Sequence, residues 1–345
     1  MDQTVESPES VGQATGWRET LRPGQRVGAA LQARLDELAR PAAPELREVV
    51  TAVLRRPAKR LRPALLLAAA SSGGDSDAAL SCAAAVEAIH QSSIVHDDLM
   101  DGTDRRGQML TAHRRYGLGL AVVAGDYLVA AAGDALCGVG AEAARVGLHA
   151  YREMCVAQAR ETAGAYRIGT VEEHLDVVRG KTGALLRAAC VLGARAGGLD
   201  EVRVRAFGAF GLAFGVVFQL VDDLVDLLST PELCQKQVGQ DLPNGTYTLP
   251  VLLAARRHGR ALVARLGPGR DRRTLDEARV LVCDPAVLAE AFSYAVEYAA
   301  VARCSLPGHP LAELPADYLR DTLPSMVAPA RRPMVESLLA AAELG

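Results

Sequence analysis

Two acidic stretches decide how this chain folds: HDDLMDGTDRRG at residues 96–107 and QLVDDLVDLL at residues 219–228. Each contains the pattern Asp-Asp-x-x-Asp. On a helix, residues four positions apart lie nearly on one line, so the first and last aspartates of each pattern share a face and the middle one lies beside them. The first cluster is Asp97, Asp98 and Asp101, and the second is Asp222, Asp223 and Asp226.

Three carboxylates on one helix face repel one another unless a cation lies between them. Apolar residues precede both clusters, and acidic groups on otherwise buried helices are costly without a function. Hard divalent ions prefer oxygen ligands, and Mg²⁺ commonly completes its shell with water and phosphate oxygens. A solvated acidic face remains an alternative for either cluster alone. Two clusters of identical spacing favour a site for several Mg²⁺ ions.

The rest of the chain predicts helices almost throughout. Half of the 345 residues are hydrophobic, only 4% are aromatic, and alternating strand-like patterns are nearly absent. We predict an all-α protein in which residues 1–25 form a disordered leader and residues 26–345 form one domain. The predicted helices are 27–40, 44–54, 63–70, 78–99, 119–139, 141–162, 171–192, 202–228, 249–266, 275–283, 287–302 and 332–344.

The net charge and the cysteines argue against several kinds of function. The net charge of −3 gives no reason to expect nucleic acid as a partner. The seven cysteines include no C-x-x-C pair, so neither a zinc site nor a disulfide framework is expected. The polar N-terminal residues do not resemble a secretory signal, and uninterrupted apolar runs are too short to span a bilayer. We therefore expect a cytoplasmic protein without a transmembrane segment.

Basic side chains accompany both acidic clusters. Lys59 and Arg62 come just before or at the start of a predicted helix, where phosphate binds favourably. Arg105 and Arg106 follow the first cluster and are suited to clamp phosphate. His90 lies two turns before Asp97, although a hydrogen-bonded core histidine explains that position equally well. Only three of the 38 basic residues are lysines, and all three lie in such segments: Lys59, Lys181 and Lys236.

In this order, these elements resemble the trans-isoprenyl diphosphate synthases of the polyprenyl synthetase family. The resemblance covers roughly residues 50–255. It rests on AKRLRP at 58–63, EAIHQSSIVHDDLMD at 87–101, RRG at 105–107, GDYL at 125–128, GKT at 180–182, FQLVDDLVD at 218–226 and GQDLPNGTYTLP at 239–250. It implies the isoprenoid synthase fold, with antiparallel helices around a deep central apolar cavity, and a homodimer.

The resemblance also implies roles for individual residues. The two aspartate clusters would bind Mg²⁺ and, through it, an allylic diphosphate, with Asp226 supporting the second cluster. The same diphosphate would be neutralised by Arg105, Lys181 and Lys236, and isopentenyl diphosphate would be held by Lys59, Arg62, His90 and Arg106. The residues expected to be catalytic are Asp97, Asp98, Asp101, Lys181, Thr182, Gln219, Asp222 and Asp223.

The activity that the resemblance implies is magnesium-dependent condensation of isopentenyl diphosphate with an allylic prenyl diphosphate, giving a linear (E)-prenyl diphosphate. In this family, bulky residues just before the first cluster stop chain growth early. Here Ser92 and Ser93 are small, and Ile89 lies another turn down. These positions favour geranylgeranyl diphosphate, a C20 product, over farnesyl or longer products.

Other functions remain open at this point. A class I terpene cyclase on the same fold generally pairs one aspartate motif with an Asn/Ser/Glu triad, and a non-catalytic partner subunit would have lost aspartates. The chain also departs from the usual family pattern at four places. Pro57-Ala58 replaces Gly-Gly, Met109-Leu110 replaces Pro-Thr, Thr246 replaces a lysine, and the spacing from Asp101 to Arg105 is one residue shorter.

Overall fold

The structure is a computed structural model that describes residues 21, 25–71, 74, 76–234 and 238–342. Most of the predicted leader (residues 1–25) and Lys236 lie outside the described residues. The longer helices, in chain order, are α1 Gln25–Ala39, α2 Pro44–Leu54, α3 Leu61–Ala70, α4 Ser76–Met100, α5 Ala112–Tyr116, α6 Leu118–Val139, α7 Ala141–Ala163, α8 Val171–Val178, α9 Ala184–Ala196 and α10 Glu201–Leu228. Then follow α11 Pro231–Cys234, α12 Asp241–Asn244, α13 Leu249–His258, α14 Arg260–Val263, α15 Arg272–Val282, α16 Pro285–Ser305, α17 Leu314–Met326 and α18 Arg332–Ala341.

The prediction of an all-α protein is confirmed. Within the described ranges, strand structure is confined to a two-residue antiparallel pair, β1 (Arg105–Arg106) and β2 (Met109–Leu110). The division into a leader and a single domain remains a prediction.

Two helix predictions need correction, and four of the helices named above were not predicted: α5, α11, α12 and α17. The run 171–192 is interrupted by a π turn at Arg179–Gly183, and the run 249–266 breaks at Gly259, whose φ of 51° ends the helix. Helix α17 was missed because Pro324 lies inside it and prolines ordinarily interrupt helices.

The described residues contain two clusters of buried side chains. Helix α10 contributes to the larger cluster, and α4 contributes to the other. The start of α10 is fixed by Asp200, whose side chain accepts hydrogen bonds from the backbone N–H groups of Val202 and Arg203. Further along, a Cβ on Gly215 would lie only 2.5 Å from the Cα of Gly183. Glycine at this crossing therefore allows α10 to approach the π turn closely.

In the described part of the chain, three helices are long and apolar enough, by length and composition, to cross a membrane: α4, α6 and α10. The inspection of uninterrupted apolar runs had missed them. Two-thirds of the apolar windows of α4 and α10 are buried inside the protein, so packing in the bundle accounts for their composition. Helix α6 is only 39% buried in its window and leaves apolar side chains exposed. The cytoplasmic location remains a prediction.

Candidate active site

A cavity of about 530 Å³ lies between the C-terminal ends of α4, α7 and α10, with the π turn and the segment 241–248 completing its wall. Carboxylates dominate its lining: Asp101, Glu161, Asp222, Asp223, Asp226 and Asp241. Among the described lining residues, Lys181 and His174 are the only basic side chains. Without bound cations, the cavity therefore carries a large excess of negative charge.

A chain of hydrogen bonds holds the second aspartate cluster. The Thr182 hydroxyl donates to Gln219 Oε1 at 2.7 Å, and Gln219 Nε2 donates to Asp223 Oδ1 at 2.9 Å. Asp226 Oδ1 accepts from the backbone N–H of Gly239 at 3.0 Å. The close approach of α10 to the π turn thus brings Thr182, Gln219 and Asp223 together, as predicted for residues of one site.

Lys181 lies between the two clusters. Its ammonium donates to Glu161, and although burial lowers the Lys181 pKa, the charges of Glu161 and Asp97 outweigh that effect and raise it. Burial raises the pKa of Asp97, and the nearby charge of Lys181 opposes that change. The geometry places a fully charged lysine where a diphosphate between the clusters would need a counter-ion.

Asp98 differs from the other aspartates of the first cluster. Its side chain is only 1% exposed, and Oδ1 accepts a hydrogen bond from Arg106 Nε at 2.5 Å. Like Asp97, it is not among the residues that line the cavity. A metal at Asp98 would have to compete with this ion pair, so its role as a metal ligand remains a prediction that the observed pairing does not favour.

The residues predicted to hold isopentenyl diphosphate are not among those that line the cavity, and one of them, Arg106, pairs with Asp98 of the first cluster. Arg62 Nη1 donates to His90 Nε2 at 2.9 Å. Burial lowers the Arg62 pKa to about 10, and burial together with the charges of Arg62 and Arg106 holds the His90 pKa well below its usual range. His90 is therefore a neutral acceptor that orients Arg62, while Lys59 is exposed in the preceding loop.

Arg105 is not part of the hydrogen-bonded pair of Arg62 and His90. It lies exposed on β1, where its guanidinium donates to the backbone carbonyl of Gln108 at 3.0 Å. In this structure it is not among the residues that line the cavity, so its predicted contact with the allylic diphosphate remains a prediction.

Sequence reasoning missed three cavity residues: Glu161, His174 and Asp241. His174 lies seven residues before Lys181, a spacing of two helical turns that was available from the sequence. Its Nε2 is 3.4 Å from Asp223 Oδ2, and neither atom has a hydrogen-bond partner among the described residues. Asp241 belongs to the GQDLPNGTYTLP segment, but Glu161 has no comparable signal.

The donors around the cavity fit Mg²⁺. No group of three carboxylate, imidazole or thiol side chains within the described residues converges closely enough to hold a metal ion alone. Mg²⁺ is usually bound through one or two carboxylates, and diphosphate oxygens and water complete its octahedral shell. Carboxylates spread around one cavity suit this mode, in which metal and diphosphate bind together.

Known proteins are similar to this chain in sequence and in fold. The model for the family described as polyprenyl synthetase matches residues 43–279. The chain belongs to this family. Nonaprenyl diphosphate synthase from Mycobacterium tuberculosis is 34% identical over 266 residues, covering 74% of this chain and 77% of the relative. Geranylgeranyl diphosphate synthase from the same organism is 36% identical over 206 residues, covering 57% and 58%.

A solved structure extends the similarity beyond the matched segment. Polyprenyl synthase from Caulobacter crescentus, complexed with calcium and isoprenyl diphosphate, superposes with a TM-score of 0.77 at 26% identity, covering 96% of this chain and 98% of that one. The isoprenoid synthase fold is thus confirmed, whereas the deep apolar part of its cavity stays a prediction. This chain is a prenyltransferase of the metal-dependent trans-prenyl diphosphate synthases, which excludes a purely structural role.

Proposed function

We propose that this enzyme condenses isopentenyl diphosphate with an allylic prenyl diphosphate in the presence of Mg²⁺ and releases linear geranylgeranyl diphosphate. The observation that carries the proposal is the juxtaposition of two sites of opposite charge. A carboxylate-lined cavity contains Lys181. Beside the first acidic cluster lies a cationic group, formed by Arg62 with its neutral hydrogen-bond partner His90 and by the partly exposed Arg106. The cavity suits a metal-bound diphosphate, and the cationic group suits a diphosphate held by side chains alone.

In this proposal, different residues have different roles in the reaction. Lys181 holds the allylic diphosphate and stabilises charge on it as the carbon–oxygen bond breaks. The carboxylates hold Mg²⁺, which when bound neutralises the leaving diphosphate. Arg62 and Arg106 hold isopentenyl diphosphate so that its double bond attacks the allylic cation. The new carbon–carbon bond forms, and the proton lost from the isopentenyl unit passes to the released diphosphate.

Product length is the finer part of the proposal. Ser92 is fully buried on α4, and Ile89, one turn further from the aspartates, is also fully buried. Two small serines followed by a branched side chain support growth past fifteen carbons and a stop soon afterwards. The relatives compared above carry names for both C20 and much longer products, so direct analysis of the product is needed.

We further propose that the enzyme is a homodimer joined through α6. The first turns of this helix expose Leu118, Leu120, Val122 and Val123, with exposed fractions from 37% to 66%. Such a patch on a helix is expected to pack against another protein surface. Sedimentation equilibrium should give twice the mass of the chain, and Val123→Asp should give a monomer. A monomeric wild-type enzyme would contradict the proposal.

The reaction is tested by incubating purified protein with Mg²⁺, isopentenyl diphosphate and, in separate reactions, dimethylallyl, geranyl or farnesyl diphosphate. Mass spectrometry should identify a C20 diphosphate that requires both substrates. Asp222→Ala should abolish it. Asp104→Ala is the matched control, because Asp104 is exposed, pairs with Arg114 and lies outside the cavity.

Other outcomes are equally informative. A hydrocarbon or alcohol made from one prenyl diphosphate alone would replace the synthase proposal with a cyclase. Absence of turnover with every primer would contradict the proposed reaction and favour a partner subunit.

A further inference from the structure

One buried arginine next to the cationic group has no place in the reaction as described so far. Arg56 lies in the loop between α2 and α3, and its side chain is only 11% exposed. Neither Nε nor Nη1 has a hydrogen-bond acceptor among the described residues. The nearest carboxylate oxygen, Asp98 Oδ2, is 3.8 Å from Nη1, beyond hydrogen-bond distance.

Asp98 does not satisfy Arg56 in this structure: its Oδ2, which has no hydrogen-bond partner among the described residues, stays 3.8 Å from Arg56 Nη1. Its Oδ1 is engaged by Arg106 Nε, and its single negative charge lies between two guanidinium groups. Burial lowers the Arg56 pKa; Asp98 opposes this, and the charge of Arg106 adds to the lowering. A buried cation that lacks hydrogen-bond partners is costly. This region therefore has an excess of positive charge and unused donors.

The unused donors of Arg56 lie near Arg106, one of the residues predicted to hold isopentenyl diphosphate. Arg106, the partner of Asp98, also acts electrostatically on His90, which binds Arg62. Arg62 likewise has a buried Nε without a hydrogen-bond partner among the described residues. Arg56 and Arg62 both have unsatisfied buried donors, and both belong to the surroundings of Arg106, which indicates a site that is completed by an anion with several oxygens.

The sequence of the loop gives an independent reason. Pro57 follows Arg56 directly and has no backbone N–H to offer an anion. The guanidinium of Arg56 thus supplies several donors beside a position where the backbone supplies none.

We propose that Arg56 is a further substrate-binding residue, which binds the diphosphate of isopentenyl diphosphate together with Arg106 across Asp98. The inference rests on the proposed function, because it assigns the ligand of the cationic site. Asp98 positions both guanidinium groups, and the oxygens of the diphosphate satisfy the donors that Asp98 leaves free.

The test replaces Arg56 by methionine, which keeps the length of the side chain and removes all donors. The KM for isopentenyl diphosphate should rise about tenfold to 100-fold, the cost of losing charge-assisted hydrogen bonds. The KM for the allylic diphosphate should stay within about twofold, because it occupies the other site. Arg55→Met is the control, because Arg55 is 61% exposed and pairs with Asp36.

A purely structural role for Arg56 predicts a different result. If Arg56 only held its loop in place, Arg56→Met would lower the melting temperature and raise both KM values together. Removing a buried and unsatisfied cation should instead leave the melting temperature unchanged or raise it. An unchanged KM for isopentenyl diphosphate, or a parallel rise of both KM values, overturns the proposal.

Direct binding separates this inference from the proposed reaction. Isothermal titration of the wild-type protein with isopentenyl diphosphate, without an allylic substrate, needs no turnover. Arg56→Met should weaken binding at least about tenfold while Arg55→Met does not. Loss of turnover with normal binding would refute the proposed reaction alone, and equal binding by both variants would refute the role of Arg56 alone.

Discussion

Replacing Gln219 by leucine tests whether the hydrogen-bond chain of the second cluster supports both stability and activity. The change keeps the size of the side chain but removes the bonds to the Thr182 hydroxyl and to Asp223 Oδ1. Both partners are 5% exposed, so water cannot readily replace the lost bonds. A neutral hydrogen bond contributes about 1 kcal/mol and one to a charged group about 1.5–3 kcal/mol. The expected loss of unfolding free energy is therefore about 2–4 kcal/mol.

Thermal unfolding in the absence of metal measures this loss, which should lower the melting temperature by roughly 3–6 °C for a chain of this length. The kcat should also fall about tenfold, because Asp223 is no longer held in place. The chain offers a closely matched control. Gln32 donates to Asp36 at 3.0 Å with the same spacing of four residues, but Asp36 is more exposed and also binds Arg55.

Gln32→Leu should therefore cost less than about 1 kcal/mol and leave activity unchanged. If Gln219→Leu unfolds at the wild-type temperature, or costs no more than Gln32→Leu, the reasoning about the buried network is refuted.

Three further results are expected. Saturating Mg²⁺ should raise the unfolding free energy, by about 2.7 kcal/mol at a concentration 100 times Kd; in a thermal-shift assay, Asp222→Asn should reduce this gain, and an equal gain in the variant would contradict metal binding there. Asp98→Asn should raise the KM for isopentenyl diphosphate and leave the Mg²⁺ dependence of the rate near that of wild type. Asp97→Asn should instead shift the Mg²⁺ dependence. The opposite pattern would show that Asp98 is a metal ligand. Ser92→Phe should shorten the product, as measured by mass spectrometry, because a ring at this position of α4 would block the growing prenyl chain. An unchanged product would show that the prenyl chain follows another path.

The fold was predicted from the sequence because it depends on local patterns, and the same patterns indicated residues that the structure brings together. Helical spacing gave the two aspartate clusters, and the order of the motifs gave Lys181, Thr182 and Gln219 as their neighbours. Asp98 shows the limit of this reasoning. Successive residues on a helix are turned by about 100°, so Asp97 and Asp98 face different neighbours. Only the tertiary structure shows that Asp98 pairs with Arg106.

Residues without a motif were beyond such prediction. Glu161 lies twenty residues before Lys181, and nothing in its local sequence indicates that α7 brings the two side chains together. Arg56 precedes the recognisable AKRLRP segment, and its significance depends on burial and on missing hydrogen-bond partners. These are properties of packing, which the order of residues does not display.

The π turn at Arg179–Gly183 sets the rotational phase between α8 and α9. A π turn holds one residue more than the α-helical turn it replaces, so the side chains before it are rotated by about 100° relative to an unbroken helix. Deleting Gly180 would therefore restore an ordinary helix without breaking the chain of backbone hydrogen bonds. The same deletion would turn His174 and Leu175 away from their present directions while Thr182 kept its own. A one-residue deletion that is conservative for the helix would thus be disruptive for the cavity.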